Sequence, residues 1–382
     1  MAFFRNRAVN RLNIHYGVQA FAENAGGVFI FVYLLRAGVS VPATLTALAA
    51  LLAGRFVMRP GVLPLAKRWG LRPVLVSGTL VVAITYPMLA AVQGVGPPLA
   101  AYCLVASLGG VFYWTAFHAY FAAAGDREHR GHQIGAREAL AALLAIIAPL
   151  TGGWSLATAG PGWTFAAVGI IQALAALPLI GAPNVAVALT APRAFRAARR
   201  GFLLFAADGC FAAGFYYIWQ IALFISLDQS LAAYGGAMAL AALVGAVCAL
   251  LLGRRIDTGY GRQAVFLAYG VAVFVVLLRA ASFGWPWLAV AANAAGALAS
   301  ALLIPTLMTP LYNLAKASPC PLRFNIVTEG AWDIGCGAAC LFAAGLAAAG
   351  LSLGAAVLLA LPGATAIIGL LSRYYDPAGA AA

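Results

Sequence analysis

Acidic residues are scarce in this sequence: 10 of its 382 residues are Asp or Glu, against 23 Lys and Arg. Charged residues make up 9% of the chain and hydrophobic residues 64%, whereas an ordinary soluble domain has about 25% and roughly 45–50%. A soluble protein of this length would need far more polar surface than these residues supply. The composition therefore predicts an all-α polytopic membrane protein.

Cysteine is also scarce, and its spacing carries no signature. The six cysteines lack the CxxC pattern of zinc sites and lie mostly inside apolar runs, where they suit close packing. No Walker phosphate-binding loop is present. The sequence thus predicts no disulfide framework, no metal site and no cofactor, and it gives no reason to expect an enzyme.

The net charge of +13 does not indicate a nucleic-acid partner, because the basic residues are dispersed between apolar runs. A hydrocarbon core of about 30 Å needs around 20 apolar residues per helix, and division at that length predicts twelve spans. The spans are predicted at residues 13–35, 41–60, 73–93, 98–124, 132–154, 161–182, 202–226, 231–253, 263–283, 286–314, 322–347 and 352–373.

The basic residues follow this division. Four arginines fall in the connection 192–201 at the middle of the chain, and nearly all other Lys and Arg fall on or near the same side of the predicted spans as that connection. Arg36 and Arg279 are the exceptions. Since Lys and Arg are retained on the cytoplasmic side, both termini and the central connection are predicted to be cytoplasmic. The minimal loops are typical of a bacterial inner-membrane protein.

Two connections occupy equivalent places in the halves of the chain: 61–72 follows the second span and 253–262 the eighth. The second copy has an acid, Asp257, before a glycine and Arg262, whereas the first has Lys67 in the acidic place. The pattern resembles the signature loop of the major facilitator superfamily. Glycines allow a tight turn there, and the charges can hold one conformation of the cytoplasmic face. A single such loop is also an ordinary solvated turn.

The fifth span contains Ala-Pro-Leu-Thr-Gly-Gly at 148–153, which is similar to the core of the antiporter motif of that superfamily. A proline kink with small-residue packing is the plain alternative. The resemblance implies two pseudo-symmetric six-helix bundles, here residues 1–182 and 202–382, joined by a basic linker at 183–201. It further implies that helices 1, 4, 7 and 10 line a central cavity, and the motif favours export.

Acids inside spans are functional candidates, since charge in a bilayer is costly. Glu23 lies about 15 Å into the first span and Asp208 about 10 Å into the seventh, at 1.5 Å per residue. Both are candidates for binding a proton or the substrate. The alternative is a carboxylate that is neutralised by an arginine and holds helices together.

The eleventh span carries two more acids, Glu329 and Asp333, which lie four residues apart and so share one helical face. Two carboxylates in that position must be protonated, paired or metal-bound. Alignment of the two halves places Arg137 opposite Glu329. A charge pair that closes the cytoplasmic side is the first interpretation, and a proton relay is the second. His118, on the fourth span, is a further proton or ligand candidate.

Aromatic and polar side chains on these spans are candidates for stacking on and hydrogen-bonding an organic substrate, although packing roles stay open for each. They are Tyr113, Trp114, Tyr216, Trp219 and Asn293. Charged residues near the cytoplasmic ends are candidates for gating. They are Arg137, Glu138, Arg323, Asp257, Arg262, Arg68 and Arg72.

These features predict a secondary active transporter that exports a small organic solute in exchange for protons, as a monomer in the lipid bilayer. Three alternatives stay open. Proton-driven uptake uses the same fold, a lipid flippase would open sideways to the bilayer, and a non-transporting receptor or assembly factor would show no flux.

Overall fold

A computed structural model describes residues 6–125, 130–256 and 261–375, and its secondary structure in these ranges is entirely helical. Twelve long helical segments follow one another in the described part of the chain. They are α1 (Arg7–Arg36), α2 (Val41–Trp69), α3 (Leu71–Ala90), α4 (Pro97–Ala124), α5 (Arg130–Thr158), α6 (Gly160–Ile180), α7 (Arg199–Ser226), α8 (Leu231–Ile256), α9 (Gly261–Ser282), α10 (Pro286–Ala317), α11 (Pro321–Ala348) and α12 (Leu353–Tyr374).

Eleven of these segments are long and apolar enough to cross a membrane. The apolar part of α8 within the described residues, Leu231–Val247, is shorter. The prediction of an all-α membrane protein is therefore confirmed, whereas the count of twelve spans and the division into two bundles remain predictions.

Local sequence sets several helix starts. Ser40 and Ser352 cap α2 and α12 by accepting a hydrogen bond from a backbone N–H three residues on. Proline occupies the first turn of α4, α6, α10 and α11, where its missing N–H leaves no bond unmade. These devices keep the connections short.

Two segments are irregular at mid-length. In α1 the α-helix ends at Ala25, a 3₁₀ turn covers Gly27–Phe29, and the helix resumes at Ile30. In α7 a π-helical turn covers Ala213–Ile218. Each irregular turn follows within five residues of an acid predicted to be functional, Glu23 in α1 and Asp208 in α7.

Helices from the two halves of the sequence meet most extensively in two places. One is the packing of α2 against α11, and the other is that of α5 against α8. At the second contact the Cα atoms of Gly153 and Gly235 approach so closely that a Cβ on Gly235 would lie 2.5 Å from the carbonyl oxygen of Pro149. The antiporter-like residues of α5 thus form a helix contact between the halves.

The linker follows α6 and packs against the C-terminal end of α2 and the start of α3. Leu71 N–H donates to the carbonyl of Val185 over 2.9 Å, and Asn184 Nδ2 donates to the carbonyl of Trp69 over 2.7 Å. A short helix, Ala194–Ala197, precedes α7. The linker therefore marks one end of the helices, here called the linker end.

Candidate functional site

The buried ion pairs of the described residues converge on one cluster between α2 and α11. Arg55 Nε lies 3.1 Å from Asp333 Oδ1, and Arg59 forms a short hydrogen-bonded ion pair with the same carboxylate. Glu329 Oε2 lies 3.6 Å from Arg55 Nη2 and 3.9 Å from Arg59 Nη1. All four side chains are 10% exposed or less. Two positive charges thus face two negative charges where water screens them little.

Helix periodicity explains this pairing. Arg55 and Arg59 are four residues apart on α2, and Glu329 and Asp333 are four apart on α11, so each pair lies on one face. Close packing at Gly337, whose Cβ position lies 3.7 Å from Leu52, brings the two faces together. Removal of either partner would leave a buried charge without compensation.

The cluster extends to α4 and α10. Arg59 Nη1 donates to Thr115 Oγ1 over 2.7 Å. His118 Nε2 lies 3.7 Å from Glu329 Oε1, and its Nδ1 lies 3.2 Å from the hydroxyl of Tyr312. The residues called here the charge cluster are therefore Arg55, Arg59, His118, Glu329 and Asp333.

Arginines neutralise Glu329 and Asp333, as one interpretation of the sequence predicted, but these arginines belong to α2. The alignment of the two halves had instead placed Arg137 of α5 opposite Glu329. The Arg137 guanidinium instead lies 4.8 Å from the ring centroid of Tyr16 and 5.0 Å from that of Phe121. Sequence reasoning had assigned Arg55 and Arg59 to topology alone. The signal that could have identified them is their four-residue spacing, which matches that of the two acids.

Asp208 borders the charge cluster through an aromatic residue. Its Oδ2 accepts a hydrogen bond from Trp332 Nε1 over 3.0 Å, and the Arg55 guanidinium lies 5.7 Å from the centroid of the Trp332 ring. Tyr217 packs edge-on against the same ring, at 6.2 Å between centroids. Trp332 therefore connects the acid of α7 to the cluster on α2 and α11.

Glu23 occupies a different environment. It is exposed, and no described cation lies within ion-pair distance of it. Its carboxylate nevertheless lies within electrostatic reach of buried tyrosines on α3 and α4 and of Tyr217 on α7. Glu23 is therefore an exposed carboxylate close to tyrosines of three other helices. Its carboxyl group folds over Gly27, where a Cβ would lie 2.6 Å from the carboxyl carbon.

The aromatic candidates separate into two groups. Trp114 stacks on His118 at 5.7 Å between centroids, and Tyr216 shares a hydrogen bond of 3.3 Å with Ser300. Tyr113 is buried beside Phe117, and Trp219 is buried and donates to Asn293 Oδ1 over 3.0 Å. The structure places this second group in the packed interior.

The gating candidates at the linker end are also dispersed. Arg323 donates to the carbonyls of Ala188 and Leu189 over 3.1 and 3.0 Å, and Arg72 to that of Ala182 over 2.9 Å, so both hold the linker. Arg68 and Arg262 are exposed. Asp257 and the side chain of Glu138 lie outside the described residues.

The described side chains include no group of three or more His, Cys, Asp and Glu arranged to hold a metal ion. Cys336 and Cys340, one turn apart on α11, are buried as free thiols. The chemistry that this region offers is therefore charge pairing, hydrogen bonding and proton exchange.

Comparisons with known proteins agree with this architecture. A family model described as Major Facilitator Superfamily matches residues 14–319. A crystal structure of the human organic anion transporter MFSD10 (TETRAN) is similar, with a TM-score of 0.66 and 17% identity over 94% of this chain and 99% of that one. An auto-inhibited POT family peptide transporter gives 0.64 and 13%, over 97% of each chain. The sequence matches no curated protein.

Proposed function

The chain belongs to the major facilitator superfamily, and from that premise we propose that it exports a small organic solute in exchange for protons, by alternating access. In this proposal twelve spans form two six-helix bundles, residues 1–182 and 202–382, around a central site. Its place is the bacterial inner membrane, with both termini and the linker on the cytoplasmic side.

The charge cluster is the observation that carries the proposal. Its two arginines come from the first half of the sequence and its two acids from the second, and every ion pair crosses between the halves. Opening the linker end must break these pairs and hydrate all four charges. Closing it restores them. Such a set of contacts is suited to a gate with two discrete arrangements.

Contacts at the opposite end of the helices complement this gate. Phe31 of α1 packs edge-on against Tyr217 of α7 at 5.5 Å, and the hydroxyl of Tyr234 in α8 donates to the carbonyl of Val28 over 3.1 Å. These contacts are hydrogen-bonded and aromatic, whereas those at the linker end are ionic. The two ends therefore respond to different chemistry, and protonation acts on the ionic end.

Glu23 is the best candidate for the coupling group, because it is exposed and lacks a cation partner among the described side chains. A carboxylate in this state can take up a proton or a positively charged substrate group, but not both together. Competition of this kind couples export to proton entry. Asp208, hydrogen-bonded to Trp332, is the corresponding group in the second half.

The proposal of export rests on the antiporter-like residues 148–153 of α5, whose glycines form the contact with α8. An untargeted comparison of metabolites tests it. Cells that lack the protein, cells that carry it and cells that carry Glu23→Gln would be compared, with Glu23→Asp as the variant that keeps the carboxylate.

A compound that accumulates inside cells without the protein, and again with Glu23→Gln, would support export and would identify the substrate. A compound left in the medium would replace export by uptake. An unchanged profile, together with normal protein levels in the membrane, would contradict transport of a small solute.

A further inference from the structure

Arg279 stands apart from the charge cluster. It lies near the end of α9, is 4% exposed, and has no carboxylate within ion-pair distance among the described side chains. A guanidinium inside a membrane protein is costly unless its charge and its N–H groups find partners. The contacts of Arg279 therefore indicate what it is retained for.

The main partner of Arg279 is the irregular turn of α7. Its Nη1 donates to the carbonyl oxygen of Phe215 over 2.5 Å, and Phe215 lies within the π-helical turn Ala213–Ile218. A π turn widens the helix and displaces carbonyls from the regular hydrogen-bond pattern, so an outside donor can insert there. Arg279 supplies that donor.

Two aromatic faces complete the site of the guanidinium. Its central carbon lies 4.3 Å from the ring centroid of Phe215 and 4.9 Å from that of Trp219. Both rings belong to α7, on the turn or directly after it. Cation–π contacts of this kind are strongest when the cation is removed from water. The charge is thus balanced by one helix.

The neighbouring helices are shaped around this contact. A Cβ on Gly296 of α10 would lie 1.7 Å from Arg279 Nη2, so a larger residue there would displace the guanidinium. Asn293, one turn earlier on α10, accepts from Trp219 Nε1 and donates to the carbonyl of Ala237 in α8 over 3.1 Å. Helices α8, α9 and α10 therefore hold one face of the π turn in a fixed place.

The opposite face of the turn meets the candidate site. Tyr217 packs edge-on between Phe31 of α1 and Trp332 of α11, and Trp332 donates to Asp208. A change from π to α geometry would rotate Tyr217 about the helix axis and break both ring contacts. The conformation of this turn thus sets the position of Tyr217 relative to Phe31 and Trp332.

We propose that Arg279 is a positioning residue: it holds the π turn of α7 in the geometry that places Tyr217 between Phe31 and Trp332. This role extends beyond the proposed function, since it holds for either direction of transport and for any coupling ion.

Hydrogen–deuterium exchange on the purified full chain tests the proposal, with variants Arg279→Met, Arg279→Lys and Gly296→Ala. Loss of a buried hydrogen bond to a charged group corresponds to about a tenfold or greater rise in local opening. We expect a rise of that size in peptides covering 213–222 for Arg279→Met and Gly296→Ala, and a smaller one for Arg279→Lys, whose ammonium still reaches a carbonyl. Gly270→Ala, at a glycine of α9 with open space around it, is the control.

A second measurement reports on Tyr217 directly. A short thiol-reactive cross-linker should join cysteines introduced together as Phe31→Cys and Tyr217→Cys in the otherwise unchanged chain, and the cross-linking yield should fall severalfold when Arg279→Met or Gly296→Ala is added. An unchanged yield with unchanged exchange at 213–222 would overturn the proposal. So would exchange that rises equally through α8, α9 and α10, because Arg279 would then be an ordinary packing residue. If Arg279→Met does not fold, the pair Gly296→Ala and Gly270→Ala decides.

Discussion

Arg59 and Asp333 are 274 positions apart in the sequence and form a hydrogen-bonded ion pair in the interior. Arg59 is 1% exposed and the carboxylate is fully buried. The pair joins α2 to α11, and in the proposed gate it keeps the linker end closed. Each charge depends on the other for stabilisation, because both side chains are buried and water cannot solvate a charge whose partner is removed.

The first prediction concerns the energy of this pair. Arg59→Gln and Asp333→Asn should each destabilise the protein by about 3–5 kcal/mol, because each leaves the buried cluster of two arginines and two acids with one charge in excess. The double variant should lose less than the sum, with a coupling energy of roughly 0.5–3 kcal/mol. Thermal unfolding of the four proteins in detergent measures this cycle. Additive losses would mean that the two residues do not act on each other.

The second prediction concerns the contact of α5 with α8. Gly235→Ala would place a methyl group 2.5 Å from the carbonyl oxygen of Pro149, and relief of that overlap should cost about 1–3 kcal/mol. The adjacent Gly236 has nothing within 4 Å of its Cβ position. Gly236→Ala should therefore be neutral or stabilising by up to about 1 kcal/mol. Equal unfolding temperatures for the two variants would show that close packing of α5 against α8 at Gly235 does not contribute to stability.

The third prediction concerns the position of the Glu23 carboxyl group. A methyl group on Gly27 would overlap it at 2.6 Å, so Gly27→Ala should displace the carboxylate while the helices stay packed. We expect transport of the compound identified by metabolite comparison to show a KM raised about tenfold, which corresponds to a loss of about 1.4 kcal/mol in binding. Gly270→Ala is the matched control. Normal KM with Gly27→Ala would argue against a role for the Glu23 carboxylate in binding.

The fourth prediction concerns coupling. Glu23→Gln removes the titrating group and keeps the shape, so an imposed proton gradient should no longer drive export in vesicles, whereas Glu23→Asp should retain gradient-driven flux. The readout is the initial rate of substrate movement with and without the gradient. Full gradient-driven flux in the Gln variant would assign coupling to another residue.

The sequence predicts some residues of the charge cluster and not others. Glu329 and Asp333 stand out because a charge in an apolar run is rare, and their shared face follows from helical spacing alone. Their partners do not follow, because the meeting of α2 with α11 depends on tertiary packing. Arg55 and Arg59 also fit the positive-inside rule, which offers a sufficient explanation for them without any site.

Tertiary contacts also explain why some residues predicted to line the site are buried elsewhere in the structure. Trp219 and Asn293 carry polar groups in apolar spans. That pattern fits residues that line a cavity and fits equally well two residues that form a buried hydrogen bond with each other, as these do. The π turn of α7 has no proline or other local cause. It coincides with the buried Arg279 of α9, whose contact with α7 no periodicity reveals.

The most direct test of the charge cluster as a gate is a distance measurement across the linker end. Spin labels at the exposed positions 68 and 262, introduced as Arg68→Cys and Arg262→Cys, report the separation of α2 from α9. Arg55→Gln combined with Arg59→Gln leaves two carboxylates facing each other in the interior, and their repulsion favours the hydrated, open arrangement. A gating role of the charge cluster requires that pulsed electron paramagnetic resonance show the distance distribution shifted to longer values in this variant and unchanged in Arg36→Gln. The same distribution in all three proteins would contradict it.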